Sequence, residues 1–432
     1  MSTCESRGTV MVVGGGITGI TAAIEASEAG CDVVLVERSA YLGGRVARMH
    51  QYFPKLCPPL CGLEINLRRI RTSTRIRCLT LSEVAEVRAE VRTDVRSQDG
   101  RHRVTVEQQP RFVNERCTAC GDCVAVCPES CPDAFNYGMG STRSIYLPSD
   151  LAWPFRYTID PATCLGESCG KCVAACSYDA IDLQMTPLRT EYEVQAIIWA
   201  TGWNPFDASV VEGLNAHANM ISNVQMERLA APSGPTKGRI VRPSDVKEIE
   251  SIAFVQCAGS RDDNYLKHCS CVCCMASLKQ ARYVRAQYPN AHIYVYYIDL
   301  RSPGRQELFL AESQKDDKLH LIKGKVAKVT EDGTSGDLVV EAEDVLAGSR
   351  IRQKVSLVVL ATGMVPALDK DPASPSGALG RDPHGFLSGT QPLPGHFAAG
   401  CARRPMDVAS CVRDASSAAL KALQSCVGSH RG

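Results

Sequence analysis

Cys117, Cys120, Cys123 and Cys127 stand at C-x2-C-x2-C-x3-C spacing, with Pro128 directly after the last. Four thiolates at this spacing wrap a [4Fe–4S] cluster, which moves electrons rather than groups. A second group follows at Cys164, Cys169, Cys172 and Cys176. In modules with two such runs the fourth cysteine of each serves the other cluster. That rule assigns Cys117, Cys120, Cys123 and Cys176 to one cluster, and Cys164, Cys169, Cys172 and Cys127 to the other. The second run departs from the pattern, because Leu165 to Ser168 put four residues where two are usual. The plainer alternative for both runs is a zinc site or unrelated thiols.

A third concentration of thiols lies at Cys257, Cys269, Cys271, Cys273 and Cys274. Soft thiolates gathered near a helix start favour an iron–sulfur cluster over a hard cation. Cys257, Cys269, Cys273 and Cys274 are the expected ligands and Cys271 is left free; the adjacent pair makes this a noncanonical site. A group of buried free thiols is the alternative. Lys279 is five residues beyond Cys274 on the same expected helix. Its charge could stabilise electron density on a reduced redox group, or it could be an exposed helical lysine.

The elements that would position these groups begin at the N-terminus. Thr9–Val13 reads as a strand running into Gly14-Gly-Gly16-Ile-Thr-Gly19, a helix follows, and a second strand, Asp32–Val36, ends at Glu37. Strand, glycines, helix, strand and acid in this order form a dinucleotide fingerprint. The glycines admit a pyrophosphate, the helix start offers free N–H donors, and the acid accepts from a ribose. Further on, Ser251–Gln256, Cys273–Tyr288 and His292–Asp299 read as strand, helix and strand of a second nucleotide domain. Its loop is cysteine-rich rather than glycine-rich, so NAD(P)H is not expected there.

At 432 residues the chain can bury two or three cores. Lys plus Arg number 48 against 47 acidic residues, so no global field draws nucleic acid. Leu67–Arg77 is locally basic, either a solvated face or a docking patch for an acidic partner. Twenty-two cysteines at metal spacing in a long chain without a recognisable signal peptide point to a reducing, cytoplasmic setting. No apolar run reaches membrane-spanning length, so membrane contact is expected only through a partner.

Glu37-Arg38-Ser-Ala-Tyr-Leu-Gly43-Gly44-Arg45 resembles the paired-glycine extension of FAD-binding members of the two-dinucleotide-domain flavoprotein superfamily. Two strands ending in Ala-Thr-Gly, at Gly202 and Gly363, fit that resemblance, as does Gly395-His-Phe-Ala-Ala-Gly400 before a helix from about Asp407 to Leu423. In the superfamily this helix points its N-terminus at the flavin, and the residue after Gly400 is an aspartate on the ribityl chain; here it is Cys401. The resemblance implies Gly14, Gly16, Gly19, Glu37, Arg38, Gly44, Arg45, Gly202, Gly363, Gly400 and Asp407 as FAD contacts.

The order of FAD fingerprint, inserted ferredoxin-type module, second flavin piece and cysteine-bearing nucleotide domain resembles the A subunits of heterodisulfide reductases. Tyr52-Phe-Pro-Lys-Leu-Cys57-Pro-Pro-Leu-Cys61-Gly, Asn136-Tyr-Gly, Asn264-Tyr-Leu-Lys-His-Cys269 and Pro405-Met-Asp-Val-Ala-Ser410 are similar, within that family, to A subunits of quinone-interacting membrane-bound oxidoreductases. The fold so implied is α/β, a thioredoxin-reductase-like two-dinucleotide-domain flavoprotein with an inserted two-cluster ferredoxin domain. Its expected parts are an FAD domain at about 1–110, 187–245 and 350–432, the ferredoxin module at 111–186, and the degenerate NAD(P)H-type domain at 246–349. Phe155–Asp160 is expected to supply the module's strand pair, and Pro232–Gly238 and Asp369–Pro394 read as linkers or loops.

The resemblance further implies one FAD and three [4Fe–4S] clusters, two in the module and one in the degenerate domain. The expected partners are a sister flavin and iron–sulfur subunit, a membrane quinone-interacting subunit and adenylylsulfate reductase, in dissimilatory sulfur metabolism; homodimerisation is a further expectation. The location would be cytoplasmic, attached peripherally to the membrane through the complex. Two rivals carry the same cofactors differently. One is flavin-based electron bifurcation of the heterodisulfide reductase type. The other is a flavin/dithiol disulfide oxidoreductase using Cys57 and Cys61, which would need one activated, exposed thiolate.

Overall fold

The computed structural model describes residues 6–90, 101–368, 379–388 and 393–428. The chain forms two compact units, one of 1–203, 366–404 and 408–432, the other of 204–365 and 405–407.

In the first unit, β1 (Thr9–Val13) runs into α1 (Ile17–Glu28), and β2 (Asp32–Glu37) is followed by α2 (Leu60–Thr72) and β3 (Ile76–Thr80). These strands join Ala196–Trp199 and His396–Ala398 in one parallel five-stranded sheet, with β1 between β2 and Ala196–Trp199. Such strands read as near-continuous apolar runs because both faces are covered. On one face Val10, Val12, Val33 and Leu35 pack against Ile20, Ala23 and Ile24 of α1 and against Ala415, Ala418 and Ala422 of the C-terminal helix Val408–Gly428. On the other, Met11, Val34 and Ile197 meet Val104, Val106 and Val194 of an antiparallel three-stranded sheet.

Residues 111–186 lie in this first unit. They carry two short helices, Asp122–Val126 and Lys171–Ala175, each preceded by a left-handed glycine, Gly121 at φ 96° and Gly170 at φ 56°. Those turns reverse the chain immediately after Cys120 and Cys169, where a side chain would strain the backbone. A small core of Val113, Cys123, Ile145, Ile159, Ala180 and Ile181 closes the module, and a bridge between Val113 and Ile181 joins its ends. The segment Phe155–Asp160 supplies one strand rather than a pair. Thr158–Ile159 pairs with Ile145–Tyr146, and Ser130–Pro132 pairs separately with Ser141–Arg143. The intervening prolines and glycines leave each partner too short to form a longer hairpin.

The second unit repeats the sheet-and-helix plan. Met220–Ser222, Leu357–Thr362, Ser251–Ala258, His292–Tyr297 and Leu319–Lys323 lie side by side in a parallel sheet. The helices Asn223–Ala230 and Cys273–Gln287 belong to this unit. The boundaries differ from those expected, because 204–245 and 350–365 belong here rather than with the FAD-type sheet. Met220–Ser222 and Leu357–Thr362 are registered on this unit's own strands, and parallel pairing of that kind is invisible in local sequence. Pro232–Gly238 is a structured turn after Asn223–Ala230, held by Gly234 N–H to Ala231 O at 2.8 Å and Lys237 N–H to Gly234 O at 3.0 Å. The stretch Asp369–Pro394 lies partly outside the described residues; within it Arg381 bridges Leu387.

Candidate functional site

The glycine loop is built for close approach. Gly14 has φ 109°, and a Cβ there would fall 2.4 Å from Ala200 O. At Gly19 a Cβ would fall 1.8 Å from Gly14 O, so α1 can sit on the loop only with glycine at that position. Gly16 differs: the nearest atom to a Cβ there is Gly44 Cα at 4.0 Å. Gly44 itself has φ 54°, and Gly43 N–H donates to Gly15 O at 2.8 Å. The first helical bond of α1 is Ile20 N–H to Gly16 O at 2.9 Å, and no side chain caps the helix. The amides of its first turn therefore have no helical acceptor and offer an anion site.

Glu37 Oε2 accepts from Gly15 N–H at 2.6 Å, and Oε1 accepts from Ser39 N–H at 2.6 Å. Each carboxylate oxygen keeps lone-pair capacity for a hydroxyl. Gly202 has φ 73° with nothing within 4 Å of a Cβ. These cradles fit a dinucleotide such as FAD, with Gly14, Gly16, Gly19, Glu37, Gly44 and Gly202 around it. Gly400 N–H donates to Asp414 Oδ2 at 2.7 Å, beside the start of the C-terminal helix, which Asp407 directly precedes. Arg38 is exposed just past β2. Gly363 lies in the second unit, where a Cβ would meet Ser260 Oγ at 2.2 Å.

Sequence reasoning missed what joins the cysteine module to this cradle. Arg45 Nε donates to Trp203 O at 2.6 Å and Nη1 donates to Tyr137 Oη at 3.2 Å. Arg48 Nε donates to Tyr41 Oη at 2.8 Å, and its guanidinium lies 5.0 Å over the Tyr137 ring and 5.6 Å over Phe135. Buried Arg111 donates to Ala40 O and to Thr80 Oγ1. Burial pulls its guanidinium down to about 10, with Arg156 adding to the effect. Arg45 directly after the paired glycines was the available signal; the aromatic partners, about 90 residues away, carried none.

Within the module, Cys117, Cys120, Cys123 and Cys176 line one cavity, walled by Val113, Ile145 and Ile181. Burial raises the Cys123 thiol to about 12, and Cys117 and Cys120 add to it. Burial also raises Cys172, with Cys164 and Cys127 among its charged neighbours. Backbone amides point at the sulfurs: Ala180 N–H to Cys176 Sγ and Gly166 N–H to Cys164 Sγ, each 3.4 Å. Cys176 thus lines the cavity of the first run and Cys127 is a neighbour of Cys172 in the second, and thiols with N–H donors are the donor set that suits an iron–sulfur cluster.

In the second unit, Cys257, Cys269, Cys273 and Cys274 perturb one another electrostatically. Burial lifts Cys257 to about 11 and raises Cys273 and Cys274. Cys269 is pulled down to about 5, chiefly by a hydrogen bond from the Cys271 thiol, with Arg301 and Arg261 contributing. Cys271 N–H also donates to Cys269 Sγ at 3.3 Å. Neither arginine was singled out from sequence; both supply positive charge beside thiolates, as a negatively charged cluster needs. Phe206 fills the place above Gly259, 2.3 Å from where a Cβ would stand, at the loop where a nucleotide phosphate would dock. Among the described residues no three His, Cys, Asp or Glu side chains converge as they would on a single ion.

Lys279 is buried, with Nζ 2.9 Å from Glu227 Oε1 and 5.6 Å from the Tyr283 ring centroid. An exposed helical lysine is therefore excluded. Cys57 and Cys61 are hydrogen-bonded to each other, and desolvation together with Cys57 holds the exposed Cys61 thiol above its ordinary range. That shift marks Cys61 as a thiol that stays protonated, and not as the attacking thiolate of a dithiol. The basic segment is partly neutralised, Arg69 by Glu28 and Arg75 by Asp32. Among the described residues no helix is long and apolar enough to cross a membrane.

A family profile described as FAD dependent oxidoreductase matches residues 9–108. The chain is 38% identical over 425 residues to the second iron-sulfur A subunit of CoB–CoM heterodisulfide reductase from Methanopyrus kandleri, covering 95% of this chain and 63% of that protein. It is 37% identical to the A subunit of the ferredoxin:CoB-CoM heterodisulfide reductase from Methanosarcina mazei, covering 96% and 53%. It thus spans less than two thirds of the length of these relatives. Among solved structures, thioredoxin reductases of Lactococcus lactis and T. acidophilum match with TM-scores of 0.52 at 14% and 13% identity, covering 97% and 96% of this chain and 99% and 97% of theirs. By fold and sequence, this chain has a thioredoxin-reductase-like α/β fold, matches the FAD dependent oxidoreductase profile over residues 9–108, and is similar along nearly its whole length to heterodisulfide reductase A subunits.

Proposed function

We propose that the chain is an FAD and iron–sulfur electron relay within a multisubunit complex, passing electrons between the quinone pool and adenylylsulfate reductase. The observation that carries the relay is the seating of the cysteine module on the flavin cradle through Arg45, Arg48, Tyr41, Phe135 and Tyr137. When bound, FAD supplies the exchange between two-electron and one-electron chemistry, and [4Fe–4S] clusters supply the one-electron steps.

The chain's own residues position and tune those groups. The α1 amides hold the pyrophosphate, and Glu37 accepts from the ribose. Cys117, Cys120, Cys123 and Cys176 hold one cluster, Cys164, Cys169, Cys172 and Cys127 a second, and Cys257, Cys269, Cys273 and Cys274 a third. Arg261 and Arg301 favour the more negative, reduced form of the third. Lys279 enters as a fixed buried charge. A sister flavin and iron–sulfur subunit and a membrane quinone-interacting subunit complete the complex, which lies at the cytoplasmic face of the membrane.

The relatives' names support a second reading, in which the chain serves a heterodisulfide-reductase-type complex and splits electron pairs. Anaerobic reoxidation of the reduced protein, assembled with its neighbouring subunits, separates the two. Rapid reoxidation by adenylylsulfate reductase supports the relay. Reoxidation by a heterodisulfide alone supports the second reading and overturns the first.

A further inference from the structure

Cys401 and Cys411 are both buried, with their sulfurs 3.7 Å apart. Cys401 lies in the helical turn Gly400–Ala402, and Cys411 is the fourth residue of the C-terminal helix. The backbone on both sides is already fastened, since Asp414 accepts from Gly400 N–H at 2.7 Å and from Arg403 Nη1 at 2.6 Å. A disulfide is about 2.05 Å long, so the two sulfurs are within about 2 Å of bonding distance. The same corner packs on the dinucleotide loop, because a Cβ at Gly400 would fall 2.3 Å from Oγ1 of Thr18, the second residue of α1.

Burial hides this pair from soluble oxidants, since thiol reactivity follows exposure. The same helix offers an internal comparison. Cys426, near its other end, is buried and hydrogen-bonded to buried Cys31, the residue before β2. That second pair sits at the end of the sheet where β1 and β2 begin, away from the glycine loop. Of the two pairs, only Cys401 and Cys411 adjoin the helix start that receives the cofactor.

We propose that Cys401 and Cys411 form a reversible two-electron thiol couple whose oxidant is the FAD of this unit. Two S–H bonds break and one S–S bond forms. The electron pair and one proton go to oxidised flavin, and the second proton leaves to solvent; reduced flavin reopens the disulfide by the reverse step. The proposal rests on FAD binding in the cradle described above. It gives the chain a store for an electron pair outside its metal centres.

The test uses the holoprotein, fully reduced with dithiothreitol, desalted anaerobically, then oxidised with ferricenium, acid-quenched, alkylated and digested with trypsin. Cleavage after Arg403 and Arg413 puts the two cysteines on different peptides. The expected result is one cross-linked species joining those peptides, absent from the flavin-free Gly16→Val protein, with Cys31 and Cys426 alkylated throughout. Oxidative titration of wild type should release about two more electrons per chain than Cys411→Ser.

Full alkylation of Cys401 and Cys411 in protein whose flavin has visibly cycled overturns the proposal. So does equal cross-linking without flavin, or oxidation of Cys31 and Cys426 in step, either of which marks general oxidation. A purified protein without flavin absorbance overturns the FAD reading itself, and this proposal with it.

Discussion

Lys279 Nζ lies 2.9 Å from Glu227 Oε1, and both side chains are buried. Gln280 Nε2 also donates to Glu227 Oε1, at 2.7 Å, and Tyr283 Oη to Oε2 at 3.4 Å. Removing one partner of a buried pair leaves the other charge uncompensated, at a cost of about 3–5 kcal/mol. Lys279→Met should therefore lower stability by that amount in urea denaturation. The double variant Lys279→Met with Glu227→Leu should recover most of it. A single variant as stable as wild type would show that the pair contributes nothing to stability.

Two neighbouring glycines should respond differently to the same change. Gly19→Val drives a side chain into Gly14 O and should destabilise the first unit by about 3 kcal/mol. A Cβ at Gly16 meets no atom nearer than Gly44 Cα at 4.0 Å, so in Gly16→Val the fold should persist while the cofactor cradle is filled. Thermal melts and flavin absorbance check both. A Gly16→Val protein that retains its flavin would remove the loop from the binding site.

His396 is buried, its Nδ1 accepts from Trp199 Nε1 at 3.1 Å, and its ring meets His102 edge-on at 4.6 Å. Burial, reinforced by His102, lowers its pKa to about 4 from the ordinary 6.5. The neutral ring is the one that fits. Its contribution is complete above pH 6.5 and is lost as pH falls toward 4, by at most about 3 kcal/mol. Denaturation midpoints at pH 7 and pH 5 should differ in wild type and converge in His396→Phe. An unchanged slope in the variant would place the acid sensitivity elsewhere.

The elements around the glycine loop were readable because their signals are local: apolar runs, punctuating glycines, and Glu37 at the end of its strand. The cysteine spacings also suggested that Cys127 and Cys176 each stand near the other run, where the cavity of the first run has Cys176 in its lining and Cys172 has Cys127 as a neighbour. Long-range pairing was not readable. Nothing near Met220–Ser222 or Leu357–Thr362 says which sheet they join, and nothing near Cys401 announces Cys411 as its contact rather than a flavin chain. Glu227, about 50 residues from Lys279, likewise gave no sign of claiming that ammonium.

Cys273→Ser should remove about four iron atoms per chain and leave flavin bound. Iron analysis and flavin absorbance on the same sample decide it. Loss of flavin with iron retained would make the cysteine loop a structural element rather than a metal site.

Iron, acid-labile sulfide and FAD per chain, measured on anaerobically purified protein with EPR after reduction, test the relay most directly. About twelve iron atoms, matching sulfide and one FAD are the expected result. About four iron atoms with FAD bound would contradict three clusters and move the chemistry toward the thiols.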